Sequence, residues 1–188
     1  MFTDQGEVLL SIARKAIAEA FGKELEWDES ASWLREHGAT FVTLTQQGEL
    51  RGCIGTLEAH RPLVTDVKSN ALAAAFRDPR FPALSAAELE TTRVEVSLLS
   101  PSEPISFESE EHALSQLRPG IDGIILEYRH YRSTFLPQVW EQLPDKTEFM
   151  AHLKYKAGLS PTFWADDLQL QRYTVSKWKE AELEKDAI

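Results

Sequence analysis

The 188 residues carry 43% hydrophobic and 27% charged side chains, the composition of an ordinary globular protein; the length suits one domain and excludes any need for a disulfide or metal staple. The formal net charge of −10 opposes non-specific binding to nucleic acid or to an anionic membrane, because phosphate contact needs a local basic surface. Cys53 is the sole cysteine, and Arg14 and Lys15 interrupt the one candidate apolar stretch, Val8 to Ala20; an intramolecular disulfide, a cysteine-rich metal site and a membrane span are excluded, and a reducing, cytoplasmic compartment is the expectation.

Asp4 and Glu7 have the spacing of a capping box, and Val8, Leu9, Ile12, Ala16, Ile17 and Ala20 follow at helical spacing up to Gly22. Residues 40–45 and 50–57 read as a β-hairpin turning at Gln47-Gly48. Pro62 opens a helix that runs to about Arg77, its alanines implying close packing, and Asp78-Pro79 stops it. A short helix over 85–89 precedes a β-branched strand over 93–100, ended by Pro101. Residues 109–117 read as helix, 123–128 and 131–135 as strands joined by a tight turn, and 136–158 as helix in two pieces broken at Pro144. The second piece is capped by Asp145 and stopped by Gly158. A last strand is expected over 170–175, and the charged tail from Lys177 is expected to fray. Hairpins with helices between them predict an α+β domain over residues 1–188, core about 4–176, with a mostly antiparallel sheet flanked by helices.

The segment Leu50-Arg51-Gly52-Cys53-Ile54-Gly55-Thr56 breaks the local rules. Two glycines within a strand mark a bulge or the close approach of a ligand or another backbone. Strict alternation puts Arg51 and Cys53 on one face, where a guanidinium stabilises a thiolate. Two readings stand: a reactive thiol, and a small buried or ligand-contacting cysteine beside a surface charge. The second weighs more, because no His or Asp adjoins Cys53 in sequence to complete a triad.

The string LRGCIGT, followed in order by FRDPRFPAL with the acidic EL after it, VEVSLLSP, GIDGIIL, TFLPQVW and LKYKAGL, resembles the AMMECR family, whose prokaryotic members are the A component of the AmmeMemoRadiSam set. The resemblance runs from the first helix to about residue 175. It implies an α+β fold with an antiparallel sheet, helices around it, a smaller lobe and a cleft at the RGCIG motif. It also implies, as partners, a Memo-type protein and a radical S-adenosylmethionine protein. No settled reaction comes with it, and the cofactor and any small-molecule ligand stay unspecified.

Glu95 shares a strand face with Ser97 and is a candidate to meet Cys53 and Arg51, as an ion-pair partner before a general base. Cys53, Arg51 and Glu95 are therefore the catalytic candidates; Gly52, Gly55, His60, Asp78 and Arg80 are the ligand-contacting ones. Asp78 and Arg80 equally suit a helix stop pinned by a salt bridge, and His60 an exposed turn before Pro62. The histidines show no metal-ligand spacing. Three functions follow: an enzyme component or accessory acting through Arg51 and Cys53, a non-catalytic binding or adaptor domain, and an RNA-binding module. The last rests on Tyr128-Arg129-His130-Tyr131-Arg132 and is opposed by the net charge.

Overall fold

The computed structural model describes residues 4–181. The chain divides into two compact units, one reaching Leu99 and resuming at Ser176, the other spanning Ser100–Val175. Along the chain come α1 (Gln5–Ala20), β1 (Ala39–Gln46), β2 (Glu49–Gly55), α2 (Leu63–Phe76) and β3 (Thr92–Leu99). There follow β4 (Glu103–Pro104), α3 (Glu110–Gln116), β5 (Gly123–Tyr128), β6 (Tyr131–Phe135), α4 (Lys146–Ala157), β7 (Gln169–Tyr173) and β8 (Val175–Lys179). Short 3-10 turns occupy Ser32–Arg35, Ala86–Glu88 and Pro137–Glu141.

The sheet of the first unit has the order β2-β1-β3-β8. The β1/β2 turn puts Gln47 at φ 51° and Gly48 at φ 83°, the double left-handed geometry that matches strand twist in a two-residue hairpin. Asp4 starts α1 by accepting from the Gly6 N–H, and Pro62 is the N-cap of α2 rather than its first residue. Val42, Leu44, Val94 and Val96 point from the sheet into a core shared with Leu9 and Ile12 of α1 and Val67 and Ala71 of α2, all without exposure. Small side chains on α2 let it approach the sheet closely, which becomes critical at Gly52.

The expectation of a fraying tail from Lys177 is corrected. Residues up to Lys179 form β8, and Trp178 lies so close to Gly6 that a Cβ there would come 2.0 Å from the indole. Glu180 pairs with Arg14, its N–H donates to the Val94 carbonyl at 2.9 Å, and its carboxylate accepts from the Val94 N–H at 2.9 Å. Pairing with β3, the packing of Trp178 and a remote ion pair hold this end of the chain, and none of them leaves a periodic trace in a charged stretch. Residues 182–188 of that tail lie outside the described residues.

The second unit has the sheet β4-β7-β5-β6, with β5 antiparallel to both neighbours. Its core stacks Trp140 on Phe149 with centroids 3.7 Å apart, and Trp140 Nε1 donates to the Asp122 carbonyl at 2.8 Å. Asp145 caps α4 through the Glu148 N–H, and Gly158 closes it at φ 94°. Lys154, 1% exposed, donates to Glu110 Oε1 at 2.6 Å and faces the Trp164 ring. At the β5/β6 hairpin the aromatic and basic residues serve each other: the Arg129 guanidinium lies 5.0 Å from the Tyr128 ring centroid, and the His130 and Tyr131 rings are 4.1 Å apart. Among the described residues no helix is long and apolar enough to cross a membrane.

Candidate functional site

The RGCIG segment is the outer strand, β2, of the first sheet. Its pairing with β1 slips by one residue: Leu44 faces Gly52 and Thr45 faces Leu50, leaving Arg51 without an opposite residue. That is a β-bulge, which re-aims the side chain it carries. Arg51 is accordingly not the cation at Cys53 that strict alternation predicts. Its guanidinium binds Glu88 through two hydrogen bonds, Nε to Oε1 at 2.9 Å and Nη2 to Oε2 at 3.3 Å, and its Nη1 is shielded from solvent with no partner among the described residues.

Glu88 is the carboxylate that Glu95 was expected to be. It accepts from Ser85 N–H at 2.8 Å and Ser85 Oγ at 2.9 Å, closing a capping box over Ala86–Glu88, and also from Gln46 Nε2 at 3.3 Å. Hydrogen bonding from Arg51, seconded by the Ser85 N–H, holds its carboxyl down at about 2. The Ser-x-x-Glu spacing was the signal that would have found it.

The cation at Cys53 is Arg80. Asp78, 4% exposed, accepts the Cys53 N–H at 2.9 Å, and Arg80 Nη2 donates to the Cys53 carbonyl at 3.3 Å. The two side chains bind each other, Arg80 Nε to Asp78 Oδ1 at 3.0 Å and Nη2 to Oδ2 at 2.7 Å. Arg80 pulls the Asp78 carboxyl well below the usual carboxylate range. Asp78 in turn raises Arg80, with a smaller electrostatic contribution from Cys53. The Phe81 ring has the Arg51 guanidinium 6.0 Å from its centroid and that of Arg80 5.5 Å away.

The Cys53 side chain is half-buried, and Thr43 Oγ1 donates to its Sγ at 3.2 Å. Cys53 stands opposite Thr43, and Thr43 opposite Glu95, so the three form one row across β2, β1 and β3. The row lies on the face turned away from the core residues Val42 and Val94, hence away from α1 and α2. Two strand spacings separate the backbones of Cys53 and Glu95 by about 10 Å, and the hydrogen bond at the thiol, among the described residues, comes from Thr43 rather than Glu95. Gly55 lies on the same face, where a Cβ would sit 2.2 Å from the Phe41 ring. His60 is not brought to this row: it is exposed, with Nδ1 3.0 Å from the Glu58 carbonyl.

Sequence reading missed a buried polar cluster where β2 ends. Asp66, with no exposure, accepts from Thr40 N–H at 2.8 Å, Thr40 Oγ1 at 2.7 Å, Thr56 Oγ1 at 2.7 Å, Arg61 Nε at 2.8 Å and Asn70 Nδ2 at 3.1 Å. This ties the first residues of β1, the end of β2 and the first turns of α2 into one satisfied network. Asp and Asn at i, i+4 on a helix face were visible, but their inward orientation was not. Among the described residues no group of three or more His, Cys, Asp and Glu side chains is assembled to hold a metal ion.

Fold and site together define an α+β protein of two antiparallel-sheet units, with a bulged Arg-Gly-Cys strand at the edge of one. The AMMECR1 family model matches residues 10–178, and the chain belongs to that family. A Methanothermobacter thermautotrophicus protein is 41% identical, covering 87% of this chain and 87% of its own length. One from Methanocaldococcus jannaschii is 35% identical over 95% of this chain and 92% of its own. The crystal structure of an uncharacterized Pyrococcus horikoshii protein matches with a TM-score of 0.77 at 36% identity, covering 94% of this chain and 92% of that one.

Proposed function

We propose that the protein is a cytoplasmic accessory component that presents a substrate or a partner surface to other enzymes through the sheet face bearing Cys53, Thr43 and Glu95. The observation that carries this reading is a division of labour among the polar residues of the segment. Arg51 is committed to Glu88, and Asp78 with Arg80 to the backbone of Cys53. The thiol, the Thr43 hydroxyl and the Glu95 carboxylate stand on the sheet face turned away from α1 and α2. A self-contained thiol enzyme needs a base in hydrogen-bond reach of the sulfur. Among the described residues the hydrogen-bond partner at Sγ is Thr43, a hydroxyl that orients a thiol without deprotonating it. Recognition, with chemistry completed by a second protein, fits these groups better than catalysis by the chain alone.

The family resemblance supplies the partner classes, a Memo-type protein and a radical S-adenosylmethionine protein. The test is co-purification of each, co-expressed from the same genome, with the wild type and with Thr43→Val, Cys53→Ser and Glu95→Gln. Retention by the wild type and loss in the face variants, all with unchanged melting, supports the proposal. Failure of both partners to co-elute, or equal capture by all variants, overturns it.

A further inference from the structure

On the opposite side of the same unit, α1 carries a second stripe besides its core-facing one. Glu7, Leu10, Arg14 and Lys15 recur at helical spacing, and the chain following the helix folds back so that Leu25 and Trp27 face them. Two adjoining cavities result, of about 710 and 350 Å³, which share Lys15, Leu25, Glu26 and Trp27. The span from Glu7 to Glu19 along the helix is about 18 Å at 1.5 Å per residue, longer than a compact ligand and matching three helical turns of polypeptide.

We propose that this groove docks a basic, amphipathic helical segment of a partner protein. Three features select that occupant. Leu10 and Trp27 pack at the floor, and Leu25 stands 43% exposed, apolar surface left open among the described residues. The cations of the lining are already neutralised, Arg14 by Glu180 and Lys15 by Glu19 and Glu29. Glu7, Glu24 and Glu26, by contrast, have no side-chain hydrogen bond or ion pair among the described residues. The groove therefore presents apolar area inside a rim of unmatched negative charge, the complement of a helix with Leu on one face and Lys or Arg on its flanks. Trp27 Nε1 is shielded from water and has no acceptor among the described residues; a small rotation of the indole towards a polar group of the occupant removes that cost. The inference does not depend on the Cys53 face.

The experiment uses the full chain and a fluorescein-labelled helix-forming peptide with Leu on one face and Lys on the other, beside a counterpart carrying Glu for Lys, read by fluorescence anisotropy. The Lys peptide binds saturably, and the Glu peptide at least about tenfold more weakly. Leu25→Ser and the double variant Glu24→Lys/Glu26→Lys each weaken the Lys peptide about tenfold or more, whereas Glu108→Lys/Glu141→Lys, the same charge change on exposed residues of the second unit, alters binding less than about twofold. Absence of saturable binding overturns the proposal. So does an equal loss in the two double variants, which marks general charge attraction, and so does indifference to Leu25→Ser.

Discussion

Gly52→Ala separates a packed approach of helix and strand from an incidental glycine. A Cβ at position 52 would stand 2.2 Å from the Ala74 carbonyl oxygen and 3.1 Å from its carbon. Relaxed C···O contacts lie at about 3.3 Å, so β2 and the end of α2 must separate by roughly 1 Å. The obstacle is backbone, which has no rotamer to change. Nor is α2 free to drift, since Val67 and Ala71 are fully buried and Asp66 and Asn70 are bound to Thr40. The cost belongs at the upper end of overpacking, about 3 kcal/mol, which for a chain of this size lowers Tm by roughly 6–12 °C. Gly48→Ala is the control: at φ +83° with nothing within 4 Å, it pays only for left-handed backbone, about 1–2 kcal/mol. Thermal denaturation followed by circular dichroism, with both variants in one buffer, reads the difference. A Gly52→Ala protein melting within about 2 °C of the wild type would refute the close approach and the steric account of the motif.

The Arg51–Glu88 pair carries a pH dependence. Glu88 is lowered from 4.5 to about 2 in the folded chain, so its contribution is complete above the unfolded value and is lost as pH falls from about 4.5 through about 2. Arg51→Met should flatten that part of the urea-midpoint profile and, with the Glu88 side chain 30% exposed, cost about 2 kcal/mol at neutral pH rather than the 3–5 of a fully buried pair; an unchanged acid slope sinks the assignment. The same variant should leave the rate of Cys53 alkylation by iodoacetamide within about twofold of wild type, because the guanidinium is bound to Glu88; a larger change would restore the alternating-face picture. Asp66→Ala removes the acceptor of five hydrogen-bond donors, of which Asn70 Nδ2 keeps the Thr40 carbonyl as a second partner, and should cost about 3 kcal/mol, measurable by urea denaturation. A loss below ~1 kcal/mol would show that water satisfies them.

Local signals carried most of the fold. The Gln47-Gly48 turn, the Asp145 cap and the Gly158 stop are short-range chemistry, legible because the responsible groups lie within a few residues of one another. The bulge at Arg51 was half legible. Two glycines announced an irregular strand, but which residue is skipped depends on the register with β1, a long-range fact. Once it is skipped, the alternation used to place Arg51 beside Cys53 no longer holds, and Glu88, Arg80 and Asp78 fall into roles that adjacency cannot assign. Strand β8 escaped for the same reason: Arg14 and Glu180 meet across most of the chain. Alternation within each strand was legible for Cys53 and for Glu95 separately, while Thr43, which stands between them in the strand register, was not singled out, because nothing about a Thr within a β-rich run distinguishes it from its neighbours.

The position of β2 explains why the RGCIG and DPRFP segments form one device. An edge strand presents unpaired N–H and C=O groups that invite another strand, and proteins must cover or blunt them. At Cys53 both groups are taken by side chains, the N–H by Asp78 and the carbonyl by Arg80. The mutual ion pair presents a matched acceptor and donor, as a neighbouring strand would. The helix stop at Asp78 thereby doubles as the edge cover, and Gly52 provides the clearance that brings the end of α2 close enough to do it. Cys53 is thus divided between two roles: its backbone is fixed by the hook, while its thiol remains on the opposite-facing surface with Thr43. Loss of function in an Asp78 or Arg80 variant must first be attributed to a displaced β2 and only then to lost contact with a ligand, whereas Thr43 and Glu95, which make neither of these backbone bonds, report on the face itself.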